Sequence, residues 1–258
     1  MDTWRTDLAS LSATGQPLAQ AFKPFTPWLN HLDGPAWPAL ARLNTLADQQ
    51  KLNNAKNLPI QFISQTLRCS QRDYETSIYN TGNVPSREDN WHDFFNALIW
   101  LALPKTKAML NAIHQTELPR GNNRTSVSDA ATLFDESGLI LVSEDDLIVN
   151  LLRARRWQEA CIEHRHHWQQ LKAYVVGHAI LEKWLAPYPG ITTKCLHLKL
   201  PADSPLHVID AANAHLWQQQ PPASADLLPM PISGIPGWWP DNEKASFYCN
   251  EKVFRPPR

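Results

Sequence analysis

Imidazole, carboxylate, amine and amide side chains that could bind a metal or transfer protons are concentrated between positions 92 and 182. They are His92, Asp93, Lys107, Asn111, His114, Asp129, Asp135, Glu136, His178 and Glu182. Mixed imidazole and carboxylate groups form sites for zinc, manganese or iron, and they also carry out acid–base catalysis without a metal. The sequence therefore predicts a polar site with one of these two chemistries.

Two overlapping sets of candidates follow from this group. The candidates for catalytic roles are His92, Asp93, His114, Asp129, Asp135, Glu136 and His178. The candidates for metal ligands are His92, His114, His178 and Asp135. In the arrangement that we favour, the three histidines surround a pocket, and Asp129 or Asp135 is their carboxylate partner. We expect His92, Asp135 and His178 to converge on it, because a buried ionisable group needs a partner.

Several well-defined enzyme classes are disfavoured because their motifs are missing. The sequence has no HExxH, GxSxG, GxGxxG or P-loop pattern, which argues against zinc proteases, α/β-hydrolases, dinucleotide-binding proteins and nucleotide triphosphatases. Its four cysteines, Cys69, Cys161, Cys195 and Cys249, show no CxxC spacing. This pattern predicts reduced structural thiols rather than a zinc knot or a disulfide framework.

Composition limits the partners and the compartment. The 258 residues are 43% hydrophobic, which is enough for a substantial core in one domain covering 1–258. The formal charge is −1, from 24 basic and 25 acidic residues, so we expect no nucleic-acid or anionic-membrane partner. No apolar run approaches roughly 18 residues, and no secretory signal pattern opens the chain. We therefore expect a cytoplasmic protein whose partner is a small molecule or another protein.

A helix from Trp91 to Leu103 is predicted to be the central element, because its apolar residues recur at helical spacing and leave hardly any polar face. Asn90 is suited to the N-cap, and Asp93 falls where a capping-box carboxylate would reach back. Pro104 ends this helix and begins a second one. The second helix presents Lys107, Asn111 and His114 on one stripe.

The remaining patterns predict an α+β fold that is mainly helical, with a small sheet. We expect strands at 59–64, 74–79, 139–142 and 192–200, and a last helix ending near Gln219. Residues 1–57 are predicted to be helical or irregular. Residues 221–258 form a long proline-rich tail whose aromatic residues favour packing on the core.

The segment from Trp157 to Trp184 has a helical pattern and contains two groups of histidines. Glu163 and His167 could hold a metal, although an exposed polar face explains them more simply. Gly177 would let another element approach closely, and Glu182 lies one turn after His178, where its carboxylate could orient the imidazole. A buried histidine satisfied by its neighbour is the alternative.

Four motifs give a family resemblance. In order, they are VPSREDNWHDFFNALIWLALPKTKAMLN, DAATLFDESG, GHAILEK, and GIPGWWPDN with FYCNEKVFRPPR. From about Pro59 to its C-terminus, the sequence resembles a bacterial family known as domain of unknown function 3025. Members often have a basic residue where this chain has Ser128, and threonine is usual where Ser86 stands. The resemblance implies a bacterial protein of the same fold, but no activity, cofactor or partner.

Two functions remain compatible with the sequence. The first is a hydrolase, metal-assisted or acid–base, with the polar pocket as its active site. The second is a non-catalytic small-molecule-binding or protein-interaction protein, in which the same groups tie helices together. In that case the eleven tryptophans line a ligand groove or a partner surface. The cofactor is unknown, although the candidate ligands would suit a divalent metal.

Overall fold

The structure is a computed structural model that describes residues 17–32, 37–65, 69–116 and 125–256. The α-helices in these ranges are α1 (Thr26–His31), α2 (Leu40–Gln50), α3 (Gln71–Thr81), α4 (Trp91–Ala102), α5 (Pro104–Thr116), α6 (Ser126–Ser137), α7 (Leu147–Arg153), α8 (His178–Lys183) and α9 (Leu206–Gln219). The strands are β1 (Gln61–Ser64), β2 (Asn83–Ser86), β3 (Gly138–Ser143), β4 (Lys172–Val175), β5 (Thr192–Lys199) and β6 (Leu228–Pro231). The predicted α+β class is confirmed.

Helix α4 is central, as predicted. The Asn90 side chain accepts a hydrogen bond from the backbone N–H of Asp93 at 3.1 Å, which caps the first turn. Every residue from Phe94 to Ala102 is buried, because α1, α2, α5 and α8 all pack around the helix. Pro104 begins α5 immediately after it, so the two helices that carry candidate residues are directly joined.

A four-stranded sheet with the order β4-β3-β5-β6 lies beside these helices. Strand β3 pairs in parallel with β5 and antiparallel with β4, while β6 pairs antiparallel with β5. All six residues of β3 are buried, which explains its continuous apolar sequence. The predicted strands at 139–142 and 192–200 are confirmed. Strands β1 and β2 form a separate parallel pair, and β1 lies within the predicted strand at 59–64.

The strand predicted at 74–79 is wrong, because this segment lies inside α3. The Ser70 side chain caps the helix by accepting a hydrogen bond from Asp73 N, and Gly82 ends it with a φ of +78°. A side chain on Gly82 would also meet Pro59 O at 2.0 Å. These two caps define a helix and outweigh the strand propensity of the tyrosines, threonine and isoleucine in YETSIY.

The helical pattern from Trp157 to Trp184 is only partly reflected in the structure. The segment contains a π-helical turn (Glu159–Glu163), a 3₁₀ helix (Arg165–Gln170), β4 and the short α8. Strand β4 forms because β3 offers it an antiparallel partner from Leu139↔Val175 to Val142↔Lys172. Tertiary pairing has therefore overridden the local helical periodicity.

The C-terminal tail packs on the core. Trp238 and Phe254 are buried, and Trp239 and Phe247 pack against the same core. Asn242 is fully buried and donates hydrogen bonds to Ser233 O and Ile235 O, at 2.9 and 2.6 Å, which fixes the turn.

The thiols have the structural character that their spacing predicts. All four cysteines are free, and burial raises the pKa values of Cys161 and Cys195 to about 12. Cys195 is therefore an inert packing thiol, as predicted.

Among the described residues, no helix combines the length and the apolar character needed to cross a membrane.

Candidate functional site

Three elements bring the central candidates together. His92 lies in the first turn of α4, Glu136 lies near the end of α6, and His178 is the first residue of α8. Gly177 makes this meeting possible, because a Cβ there would lie 2.5 Å from Glu136 O and from Gly138 N. The start of α8 therefore approaches the end of α6 more closely than any other residue type would allow.

The two histidines face each other through the same ring atom. The Nε2 atoms of His92 and His178 are 3.0 Å apart, and the rings meet edge to face at 81°. A carboxylate oxygen of Glu136 lies 3.6 Å from His178 Nε2. One potential ligand atom from each of His92, Glu136 and His178 lies within 4.8 Å of the other two, which is compact enough to surround one metal ion.

The opposite nitrogen of each ring faces a different carboxylate. His92 Nδ1 lies 2.9 Å from Glu182 Oε2, and His178 Nδ1 lies 3.8 Å from Asp135 Oδ2. In metal centres, a ligating histidine usually directs its second ring nitrogen to a carboxylate or carbonyl, which fixes the tautomer and the ring orientation. Both histidines of this site are placed in that way.

The contacts of the two rings restrict where their protons can lie. With both rings neutral, Glu182 accepts a hydrogen bond from His92 Nδ1, so His92 accepts at Nε2 and His178 donates from its own Nε2. That tautomer leaves His178 Nδ1 without a proton, buried, and facing the acceptor Asp135. His178 Nδ1 has no hydrogen-bond partner among the described residues, since Asp135 Oδ2 is 3.8 Å away. A cation between the two Nε2 atoms would remove the conflict, because both rings could then carry their proton on Nδ1.

A buried ion pair supports the carboxylate behind His178. Lys107 Nζ donates to Asp135 Oδ1 at 2.5 Å, and the Lys107 side chain is only 6% exposed. Burial raises the pKa of Asp135, but Lys107 and His178 together outweigh it and hold this pKa below its ordinary value. Burial, partly offset by Asp135, lowers the pKa of His178 to about 3, so the imidazole stays neutral and available as a ligand.

The site opens into a cavity of about 430 Å³. The side chains of His92 and Glu182 are 30% and 41% exposed, whereas that of His178 is 6% exposed. The cluster therefore forms one wall of a solvent-accessible hollow. Besides His92, Glu136 and His178, its lining comprises Gln65, Cys69, Ser70, Gln71, Tyr74, Glu75, Arg87, Asp93, Asn96, His114, Thr132 and Asp135.

Glu75 is a candidate that the sequence pattern did not reveal. The amide of Asn111 donates to both the backbone oxygen and Oε2 of Glu75, at 2.9 and 2.7 Å, and so orients this carboxyl. Burial raises the pKa of Glu75 to about 7, and the nearby charge of Asp135 adds to this effect. Reading 70–82 as a helix capped by Ser70 and Gly82 would have placed Glu75 one turn before Ile78, on its inner side.

Other predicted residues have different positions. His114 lines the cavity, but its Nδ1 lies 3.4 Å from Ser128 Oγ, and it is not part of the compact metal-ligating group. Asp93 does not reach back to the N-cap, because both its oxygens accept from Arg87. Asp129 lies in the first turn of α6 and is not among the residues that line the cavity.

The predicted pairing of Glu182 with His178 is wrong. Glu182 instead pairs with His92, since His178 is turned inward against the end of α6 and only His92 lies at the open side. The carboxylate that faces His178 Nδ1 belongs to Asp135. Each imidazole is therefore oriented by a carboxylate from a different helix, which spacing within one helix could not indicate.

Elsewhere in the structure, a group of Ser143, His197 and Asp146 resembles a hydrolase triad only in its distances. Ser143 Oγ lies 3.0 Å from His197 Nε2, and His197 Nδ1 lies 3.5 Å from Asp146. However, Ser143 Oγ donates to Asp145 O at 2.6 Å, and His197 Nε2 is also within 3.1 Å of Ser143 O. The imidazole therefore donates from Nε2 and cannot accept the hydroxyl proton, and Ser143 is 3% exposed.

Comparison with known proteins identifies a family. Residues 60–258 match the family described as "Protein of unknown function (DUF3025)", and the chain belongs to this family. The match begins at β1 and contains every residue of the site described above. No curated protein and no solved structure matches the chain. The function has to be inferred from the chemistry of the site.

Proposed function

We propose that this member of the DUF3025 family binds one divalent metal ion through His92 Nε2, His178 Nε2 and the carboxylate of Glu136, and uses it to hydrolyse a small polar substrate. The substrate would occupy the cavity of about 430 Å³ on whose wall these three groups lie. The observation that carries the proposal is the facing pair of Nε2 atoms, 3.0 Å apart, each on a ring whose Nδ1 faces a carboxylate.

The ligand set favours a catalytic metal over a structural one. Structural zinc sites are closed by four protein ligands, whereas catalytic zinc keeps three and leaves one position for water or substrate. Two imidazoles and one carboxylate are a known catalytic combination. Among the residues that the structure describes, three groups form the cluster. His92 and Glu136 are partly exposed, so the remaining position would face the cavity.

Each residue of the chain then has a chemical role. A bound divalent metal lowers the pKa of a coordinated water and polarises the bond to be broken. With the metal bound, Glu182 and Asp135 would hold the imidazole protons on Nδ1, and Lys107 keeps Asp135 ionised in its buried position. Glu75, whose pKa of about 7 lies near neutrality, would accept the proton that the water loses.

A purely structural polar tie is the competing interpretation, and exposure argues against it. The side chains of His92, Glu136 and Glu182 are 30%, 43% and 41% exposed. An exposed ion pair of this kind contributes at most about 1 kcal/mol to stability. Holding His92, Glu136 and Glu182 together at this surface would therefore yield little stability, whereas a metal ligand set with its supporting carboxylate requires this arrangement.

The proposal is tested by metal content and turnover in the full-length protein. Chelator-treated protein is reloaded with Zn²⁺ or Co²⁺, and bound metal is measured by mass spectrometry beside hydrolysis of an ester probe (4-nitrophenyl acetate) and a phosphodiester probe (bis(4-nitrophenyl) phosphate). We expect about one ion per chain and turnover of one of these probes. His92→Ala, Glu136→Gln and His178→Ala should each lose both metal and turnover.

His215→Ala provides the matched control, since His215 is exposed on α9 and does not line the cavity. This variant should bind metal and turn over the probe like the wild type. Wild-type protein that binds no metal overturns the metal centre. Stoichiometric metal without hydrolysis of either probe overturns the hydrolase and leaves a metal-dependent binding protein.

A further inference from the structure

One edge of the four-stranded sheet has no partner strand among the residues that the structure describes. Strand β4 pairs with β3 on one side only and is the terminal strand in the order β4-β3-β5-β6. Apart from their pairing with β3, Lys172–Val175 form no backbone hydrogen bond with any residue that the structure describes. An open strand edge presents unpaired N–H and C=O groups that can pair with another extended chain.

A cavity of about 460 Å³ runs along this edge, and we call it the β4 groove. Three consecutive residues, Lys172, Ala173 and Tyr174, contribute to its wall. Successive side chains of a strand point to opposite faces, so a cavity lined by all three must follow the edge rather than one face. The rest of the groove is formed by Gln20, Lys23, Pro24, Trp168, Leu171, Ile235, Pro236, Gly237 and Trp238.

The groove continues into a second hollow. An adjoining cavity of about 480 Å³ shares Trp168, Pro236 and Gly237 with it. Gly237 has a φ of +81°, and no described atom lies within 4 Å of the position that a Cβ would occupy. A second backbone could therefore approach the chain closely at this point. The two cavities therefore adjoin and together form one trough.

The charges along this trough are of one sign. Lys23 and Lys172 are exposed in the groove and form no ion pair with any residue that the structure describes. His166 is exposed in the adjoining hollow, where Arg165 is held by Asn242 and Glu243. No aspartate or glutamate belongs to the described lining of either cavity.

We infer that the β4 groove binds an extended acidic peptide segment of a partner protein, which pairs with the edge of β4 as a fifth strand. The open backbone of β4 supplies the hydrogen bonds, and the aromatic wall of Trp168, Tyr174 and Trp238 accepts alternate side chains. Lys23 and Lys172 select acidic residues. This inference concerns a surface distinct from the cavity of the proposed metal centre and does not depend on it.

Nuclear magnetic resonance titration of the full-length protein tests the inference. The probe is the peptide Ac-Glu-Val-Glu-Val-Glu-Val-NH₂, compared with its lysine counterpart and with an N-methylated acidic version that cannot pair along a strand. We expect the acidic peptide to shift the amide resonances of residues 172–175 and 235–238. The lysine and N-methylated peptides should bind at least 10-fold more weakly.

A charge reversal provides the second arm. Lys172→Glu should weaken the acidic peptide at least 10-fold, whereas Lys252→Glu, an exposed control outside the groove, should leave its affinity unchanged. Binding of the lysine peptide with equal affinity, or shifts located elsewhere, would overturn the inference. So would the absence of any shift at 1 mM acidic peptide, about the weakest affinity expected of a specific contact.

Discussion

Replacing Glu75 by glutamine should make the metal-free protein more stable at alkaline pH. The pKa of Glu75 is raised from 4.5 to about 7, by burial first and then by the charge of Asp135. Asn111 lowers this pKa through its hydrogen bond, Lys107 lowers it by its charge, and Glu136 raises it slightly. Glutamine preserves the shape and can still accept the hydrogen bond from Asn111, but it carries no charge to bury.

Because the pKa of Glu75 is raised in the folded protein, this group lowers the free energy of unfolding as the pH rises. Below about pH 4.5 Glu75 is protonated in both the folded and the unfolded chain, so it does not affect the pH dependence. Between pH 4.5 and about 7 the unfolded chain loses the proton while the folded protein retains it, and stability falls. At about 1.4 kcal/mol per pKa unit, the loss amounts to about 3 kcal/mol and is complete above pH 7.

The assay is urea unfolding of chelator-treated wild type and Glu75→Gln at pH 4.5 and pH 8. The free energy of unfolding of the variant, relative to the wild type, should rise by about 3 kcal/mol between these two pH values. Glu251→Gln, a surface substitution of the same type, controls for the loss of a charge. A stability difference that does not change with pH, or a variant that is relatively weaker at pH 8, would refute this account of Glu75.

Two predictions concern the supports of the site. Gly177→Ala should lower the free energy of unfolding by about 2 kcal/mol or more and weaken metal binding, because its Cβ would meet backbone atoms at 2.5 Å. Gly190→Ala is its control, since its Cβ meets only a side chain, at 3.4 Å. Asp210→Ala should cost about 2 to 4 kcal/mol in thermal or urea unfolding, because the buried carboxylate caps α5 by accepting from Lys105 N and Thr106 N. A cost below about 0.5 kcal/mol would show that this cap is dispensable.

The central elements of the fold could be predicted because their patterns are strong. Apolar residues occupy almost the whole circumference of α4, and Asn90 caps it. Strand β3 is an uninterrupted apolar run. The sequence predicts a strand at YETSIY because Tyr, Thr and Ile favour strands, although Ser70 and Gly82 cap this segment as helix α3. Strand β4 could not be found locally, since it depends on its partner β3.

The site could be predicted only in part, for a similar reason. His92, Asp135, Glu136 and His178 stand out as ionisable groups in apolar or turning segments, and the structure places all four at one cavity. Their pairing depends on how the helices meet, which no spacing along the chain encodes. Glu182 therefore pairs with His92, which lies on another helix, and not with His178, which lies one turn before it on the same helix.

The central claim is the metal ion between two imidazoles, and X-ray absorption of the zinc-loaded protein at the zinc edge tests it most directly. The account predicts two histidine nitrogens and carboxylate or water oxygens at about 2.0 to 2.2 Å, and no stoichiometric zinc in His178→Ala. Sulfur at about 2.3 Å would instead assign the metal to Cys69, which also lines the cavity. A spectrum with sulfur, or with oxygen ligands alone, would contradict the proposed centre.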